Sequence, residues 1–337
     1  AGVLSHRLRQ HFQHLSCDLD HERGLFFPFK LAKTNGPRHI KIDRIGDWTS
    51  TRCAHNRQYG NWGMTGIAAV TNKETCGMDL VAYKTDSVRY KFSSFKLFHD
   101  GEALPQICHP LPDSLYRNED ERLTEYFWNE LQDSLSLRIY ATDTTDCHIY
   151  GGMLQNDARG ITYNAIGVNG ASTKSYLRCS NMGSDLKHLD ADLVIFGIGI
   201  NDAYMSTDRF DEELFYTRYD SLASLFLEVN PNTKFIWLTN NDSYYKKRYV
   251  NKNVFKVSTQ MNRLAEKYNG AVWDLFGVMG GLGSVKKWQS AGLAKSDKIH
   301  FTEAGYELSA DLFFDAFRQA YTERIAKRMN QSIPLNP

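Results

Sequence analysis

The stretch 190-DADLVIFGIGINDAY-204 decides how this chain is read. Its apolar run, Leu193 to Phe196 and on through Ile198, is bounded by acidic residues before it and by a Gly-Ile-Asn-Asp turn after it. A short apolar run between turn signals reads as a strand buried on both faces, the kind found inside a parallel sheet. Three more strands are expected around it: "GITYNAIGV" (160–168), "TKFIWLTN" (233–240) and "GAVWDLFGV" (270–278). Helical patterns alternate with them over 207–229 and 256–268, and a last long helix is expected from Thr302 or Glu303 to about Met329. The first of these helices should stop before Asn230-Pro231. Strand–helix alternation of this kind implies an α/β fold, a parallel sheet with helices on both faces. In such sheets the working loops lie beyond the carboxyl ends of the strands.

That rule gathers four loops at one edge. "GVNGAST" follows the first strand, "GIGINDAY" the second and "NNDSYY" the third, and 296-SDKIHFTEAGY-306 stands before the last helix. In the last of these, Asp297 and His300 are three residues apart. A histidine held beside a carboxylate is how a general base is oriented and its cation stabilised. The Asn201 amide, at the end of its strand, can donate to an oxygen that becomes negative during acyl transfer. Gly170 has no side chain, so its backbone N–H can be approached closely and can act as a second donor. Glycine, asparagine and aspartate are also ordinary turn residues, and each motif alone carries that plainer reading. Tyr204, Asn241 and Trp288 are candidates for lining a cleft at these loops, the tryptophan by offering a flat ring for stacking; packing roles suit each of them equally.

The rest of the chain has two other textures. Residues 1–15 carry Leu4, Leu8, Phe12 and Leu15 on one helical stripe, and Pro28 with the Asn35-Gly36-Pro37 turn breaks the helical pattern. From about Ile40 to Asp157, short runs rich in β-formers recur between turns: "MTGIAAVT", "MDLVAYKT", "SVRYKFSSFKLF", "SLSLRIYAT" and "CHIYGGMLQ". This spacing reads as a β-sandwich. One segment, "NEDERLTEYFWNEL" (118–131), fits helix or strand.

The 337 residues, 42% hydrophobic, suffice for two domains or for one with a large insertion. Forty basic and 39 acidic side chains give a net charge of +1 with no basic block, which argues against nucleic acid as a partner. No apolar run approaches a membrane span. The six cysteines, Cys17, Cys53, Cys76, Cys108, Cys147 and Cys179, fit no zinc or redox spacing. Disulfides and buried free thiols are both open to them. His11, His14 and Cys17 read as a solvated helix face rather than a metal site. Ala1 opens on an amphipathic segment without a signal-peptide pattern, and a mature or trimmed form is expected.

The motifs "GVNGAS", "GIGIND" and "DKIH" resemble the second, third and fifth blocks of the SGNH, or GDSL-type, hydrolases. "KLAKTNGP" and "MGGLGSVKKWQSAGLAKSDKIHF" resemble a bacterial branch that carries an inserted β-sandwich and includes enzymes similar to peptidoglycan O-acetylesterases. The resemblance implies an SGNH-type, flavodoxin-like three-layer α/β sandwich with a parallel sheet, over 1–39 and 158–337. The inserted all-β, jelly-roll-like sandwich would occupy 40–157, as a candidate carbohydrate-binding domain. It implies His300 as general base, Asp297 as its orienting partner, and Gly170 and Asn201 as oxyanion donors, with no cofactor and no metal. It also implies a periplasmic or extracellular location.

The family's Gly-Asp-Ser block is absent from these residues. "GDWTS" (46–50) stands at the entrance of the β-rich region, and Ser5 lies within the first helix with no strand before it. The nucleophilic serine is therefore expected just upstream of Ala1, together with the first strand of the sheet. The expected activity is hydrolysis of carbohydrate O-esters, O-acetyl groups on peptidoglycan or another glycan foremost. The alternatives are a lipid esterase or thioesterase, and a catalytically inactive scaffold that binds glycan.

Overall fold

The computed structural model describes residues 2–16, 24–32, 34, 36–85, 88–142 and 144–331. Helix α1 (Gly2–Ser16) precedes β1 (Gly24–Phe26), β2 (Ile40–Ile45), β3 (Thr49–Arg52), β4 (Ile67–Thr71) and β5 (Cys76–Thr85). Next come β6 (Val88–Arg89), β7 (Phe92–Asp100), β8 (Gln106–His109), β9 (Ser114–Asn118), β10 (Leu123–Gln132), β11 (Ser134–Ile139) and β12 (Cys147–Gln155). The chain then turns to mixed structure: α2 (Thr173–Tyr176), α3 (Met182–Leu186), β13 (Leu193–Phe196), α4 (Glu212–Val229) and β14 (Lys234–Leu238). A small hairpin, β15 (Tyr244–Tyr245) and β16 (Tyr249–Val250), leads to α5 (Asn253–Lys267) and β17 (Ala271–Trp273). Helices α6 (Leu275–Met279), α7 (Ser284–Ser290) and α8 (Glu303–Gln331) complete it.

Two antiparallel sheets account for the β-rich region. One runs β3-β4-β12-β7-β10-β9 with β1 added on β12; the other runs β2-β5-β11-β8 with β6 added on β5. Alternate residues of both sheets enter one core: Phe95 and Leu97, Tyr126 and Trp128, Ile149 and Leu154 from the first, Met78 and Leu80, Leu135 and Leu137 from the second. The ambiguous segment 118–131 forms β10 because Tyr126 and Trp128 are buried while Phe127 and Asn129 face out, a period of two. Strand pairing starts earlier than Ile40. Gly24 pairs with Leu154, and Phe26, Leu31 and Ala32 join the same core.

The parallel sheet has the order β13-β14-β17 among the described residues. Its side chains alternate between two helix layers. Val194, Phe196, Phe235, Trp237 and Val272 pack with residues of α4 and α5, whereas Ile195, Ile236, Leu238 and Trp273 pack with residues of α1 and α8. This is the three-layer α/β arrangement. Helix α1 docks on α8 through Leu8 and Phe12, and Arg7 and His11 both bind Asp311, at 2.7 and 2.6 Å. The face expected to be solvated is thus an interface at His11, whose ring also stacks on Phe314, while His14 is exposed. Cys17 lies outside the described residues.

Three local expectations are corrected. Residues 160–168 do not form a strand, because no described strand lies beside them to complete a ladder. Their hydrogen bonds go to single groups elsewhere instead: Val168 N–H donates to the Tyr176 hydroxyl, and the Asn164 side-chain oxygen accepts from Leu25 N–H. β13 is half-buried rather than fully buried, since it pairs on one side only among the described residues. The strand expected over 270–278 stops at Trp273, where Asp274 accepts from the Thr239 hydroxyl and the chain turns into α6.

Leu137 is fully buried between the two antiparallel sheets. Leu137→Ala should lower stability by about 2–5 kcal/mol in urea unfolding. A loss under about 1 kcal/mol would show that the two sheets do not share a tightly packed core.

Candidate active site

Asp297 and His300 sit in a closed loop before α8. An isolated bridge between Ala294 and Phe301 pins its base, and Lys295 N–H donates to His300 O at 2.8 Å. Lys298 adopts φ +57° at the turn. Asp297 Oδ1 accepts the backbone N–H groups of Ile299 and His300, each at 2.9 Å. That leaves Oδ2 to accept Nδ1–H of His300 at 2.9 Å. Burial pushes the Asp297 carboxyl up, but the His300 N–H, its imidazole and the Ile299 N–H outweigh this and hold it below the ordinary aspartate value. The His300 side chain is 60% exposed, and its Nε2 has no partner among the described residues.

Gly170 and Asn201 come together through two links between their loops. The Asn201 Nδ2 donates to Ala171 O at 2.8 Å. The next residue, Asp202, is buried and accepts from Thr173 N–H at 3.1 and 3.2 Å and from its hydroxyl at 2.6 Å. Thr173 opens α2, capped by Ser172, so the turn carrying Gly170 is fixed to the end of β13. Gly170 has φ +79° with open space where a Cβ would stand, and its N–H has no partner among the described residues. Gly199 has φ +135°, and a Cβ there would meet Asn240 Oδ1 at 2.9 Å. That close approach packs the ends of β13 and β14 together. From beneath, the Tyr219 hydroxyl donates to Ile198 O at 2.5 Å.

Asn241 is a strut. Its Nδ2 donates to Ile299 O at 2.9 Å and so ties the Asp297–His300 loop to the carboxyl end of β14. Trp288 is only 9% exposed, stacks on Phe301 at 4.9 Å and donates Nε1–H to Met279 O. It supports the loop from behind and offers no face to a sugar. Tyr204 is 36% exposed; its hydroxyl accepts Lys246 N–H at 3.1 Å and its ring packs edge-on against Tyr245. Of the three cleft candidates it alone keeps an exposed ring. The two serines set aside from the sequence are engaged elsewhere: Ser5 donates to the Tyr163 hydroxyl and Ser50 to Ala32 O.

Sequence reasoning missed Thr173, whose signal was its place at a helix start one turn beyond Gly170. It also missed Asn251 and Asn253, whose amides both donate to Ala203 O and hold the segment after Asn201. No local pattern marks that contact. Among the described residues no group of three or more His, Cys, Asp or Glu is placed to hold a metal ion, and no helix is long and apolar enough to cross a membrane.

The profile of the GDSL-like lipase/acylhydrolase family matches residues 124–308, more than half of the chain. A solved structure of a peptidoglycan O-acetylesterase superposes with a TM-score of 0.74 at 22% identity, covering 96% of this chain and 89% of that one. An acetyl xylan esterase matches at TM-score 0.34 and 20% identity over 45% of this chain and 79% of its own. A lipase/acylhydrolase from Enterococcus faecalis matches at 0.35 and 20% over 47% and 77%. The first of these shows the fold; the other two are too distant to carry an argument. No curated protein sequence matches the chain.

Because the folded-state pKa of Asp297 is depressed, the stability it contributes is full above the unfolded carboxylate value of about 3.9 and is lost as pH falls through the folded value. Melting temperatures of wild type and Asp297→Asn, measured from about pH 7 down to about pH 2, should therefore converge at the acid end. A constant gap across that range would mean that the Asp297 carboxylate is not stabilised in the fold.

Proposed function

The chain belongs to the GDSL-like lipase/acylhydrolase family, and on that footing we propose that it is a serine-type hydrolase of carbohydrate O-esters, acting on O-acetyl groups of peptidoglycan or a related glycan. The observation that carries this reading is the Asp297–His300 pair, fixed by Asn241 to the sheet end that also bears Asn201. The choice of ester is supported by the peptidoglycan O-acetylesterase whose structure matches along 96% of this chain. The nucleophile is a serine upstream of Ala1, on a strand that pairs with the open edge of β13. The strand-rich residues, 40–157 with the pairing at Gly24–Phe26, act as an inserted domain that positions the glycan. The enzyme works outside the cytoplasm, where such a polymer is met.

In this mechanism Asp297 holds Nδ1–H of His300, so the Nε2 lone pair points outward as a base. The serine hydroxyl attacks the ester carbonyl while Nε2 takes its proton, and the Asp297 carboxylate stabilises the imidazolium. The N–H of Gly170 and the Nδ2–H of Asn201 donate to the oxygen that becomes negative. Asn201 has a second amide N–H for this, because the first is spent on Ala171 O and sets its direction. His300 returns the proton to the departing sugar oxygen. It then deprotonates the water that releases acetate from the acyl-enzyme.

Acetate release from O-acetylated peptidoglycan and from a simple aryl acetate tests the reading. A form extended upstream through Gly-Asp-Ser should be active, and His300→Ala should cost it at least about a thousandfold, since triad members act as a unit. Asn201→Ala should cost roughly a hundredfold or more. The 337-residue chain should be no faster than its own His300→Ala variant. Activity of that chain abolished by Ser5→Ala would show that the nucleophile had been misplaced. Glycan binding without hydrolysis by the extended form, unaffected by His300→Ala, would favour an inactive scaffold.

A further inference from the structure

Two free thiols, Cys53 and Cys179, interact through a side-chain hydrogen bond between the β-rich region and the α/β part of the chain. Cys53 follows β3, and its N–H donates to Gly66 O at 2.9 Å. Cys179 lies three residues past α2, the helix that begins just after the Gly170 turn. Both are buried in one cluster with Trp62, Ala171 and Tyr176. A Cβ placed on Gly66 would stand 2.7 Å from Cys53 Sγ, 2.9 Å from Val168 Cγ2 and 3.7 Å from Tyr176 Cε1. The Cys53 sulfur therefore reaches into the segment that leads to α2. Arg178, the neighbour of Cys179, donates Nη1–H to Cys53 O at 2.7 Å, so its side chain ties the Cys179 segment to the Cys53 backbone. Cys179 Sγ lies 3.9 Å from Ser175 O.

We propose that Cys53 and Cys179 form a disulfide that fastens the β-rich region to the helix behind Gly170. The reaction is exchange with a small-molecule disulfide. The Cys53 thiolate attacks one sulfur of the oxidant, expelling one thiolate and forming a mixed disulfide. Cys179 loses its proton and attacks Cys53 Sγ, expelling the second. The protein gives up two electrons and two protons, and the oxidant leaves as two thiols. A hydrogen bond from Cys179 favours the Cys53 thiolate against the cost of burial, with help from the Arg178 guanidinium. The same hydrogen bond, and then burial, push the Cys179 thiol up. The other two buried cysteines, Cys76 and Cys147, also lie near each other, but the Thr71 hydroxyl donates to Cys76 Sγ at 2.9 Å.

Both sulfurs are buried, so the test starts from the open chain. The full chain is refolded from urea in mixtures of reduced and oxidised glutathione, and folded monomer is isolated by gel filtration. It is then alkylated in denaturant and mapped by mass spectrometry without reduction. A cross-linked peptide pair joining Cys53 to Cys179 is expected, with Cys76 and Cys147 alkylated. Recovery of Cys53 and Cys179 as alkylated thiols at the most oxidising ratio, or Cys53 joined to another cysteine, overturns the proposal. The oxidised form should melt about 5 °C above the same sample after reduction, because the cross-link closes a long loop. A Cys53→Ser/Cys179→Ser double variant should lose that difference. A double variant that retains it would also overturn the assignment.

Discussion

A parallel strand covered by helices on both faces has no room for polar side chains along its length, and β14 is that strand here. Phe235 and Trp237 fill one core and Ile236 and Leu238 fill the other. Polar residues resume where the strand leaves the sheet, at Thr239, Asn240, Asn241 and Asp242. Most of this run has a structural task. Thr239 accepts Phe276 N–H and donates to Asp274, Asn241 holds Ile299 O, and Asp242 accepts Val285 N–H. The loops that carry Asp297, His300 and α7 are hung from the end of a single buried strand. The candidate site gathers at that edge because the backbone there is free to turn and the side chains are free to be polar.

The loops of the site brace each other with fixed hydrogen bonds. Asp202 spends its carboxylate on Thr173, and Asn201 spends half of its amide on Ala171. Burial pushes the Asp202 carboxyl up, while the Thr173 hydroxyl and N–H work in the opposite direction. Removing Thr173 would thus leave a buried carboxyl without its main partners. Pre-organisation of this kind fixes the direction of the remaining Asn201 amide N–H, as the proposed oxyanion role requires.

Much of this was legible in the sequence, for reasons that can be named. β13, β14, α4 and α5 follow from apolar period and from breakers such as Asn230-Pro231. The Asp297–His300 spacing is local, so its hydrogen bond could be anticipated from three intervening peptide units. What could not be read depends on distant partners. "GITYNAIGV" has strand composition, yet a strand is defined by its neighbour, and none of the described strands is paired with it. Trp288 and Asn241 share the residue types of a sugar site, but Phe301 and Ile299 O claim them, and no local pattern reveals either partner. His11 looked solvated because Asp311 is 300 positions away. Asp274 ends the third parallel strand early through a hydroxyl on its neighbouring strand.

The pairing of α1 with α8 bears on the order in which the molecule is made. Arg7 and Asp311 are 304 positions apart, and the contacts of Leu8 and Phe12 bridge the same interval. A 15-residue amphipathic helix is marginal in water on its own. During synthesis it must wait, with Leu8 and Phe12 uncovered, while the intervening residues emerge. The antiparallel sheets between them are built from pairings such as β10 with β7 and β11 with β5, far closer in sequence, and can form in that interval. The α/β layer closes only when the aromatic residues of α8 arrive. Until then the nascent chain carries a finished sandwich and an open half-sheet, and that half-sheet is the part a chaperone would need to shield.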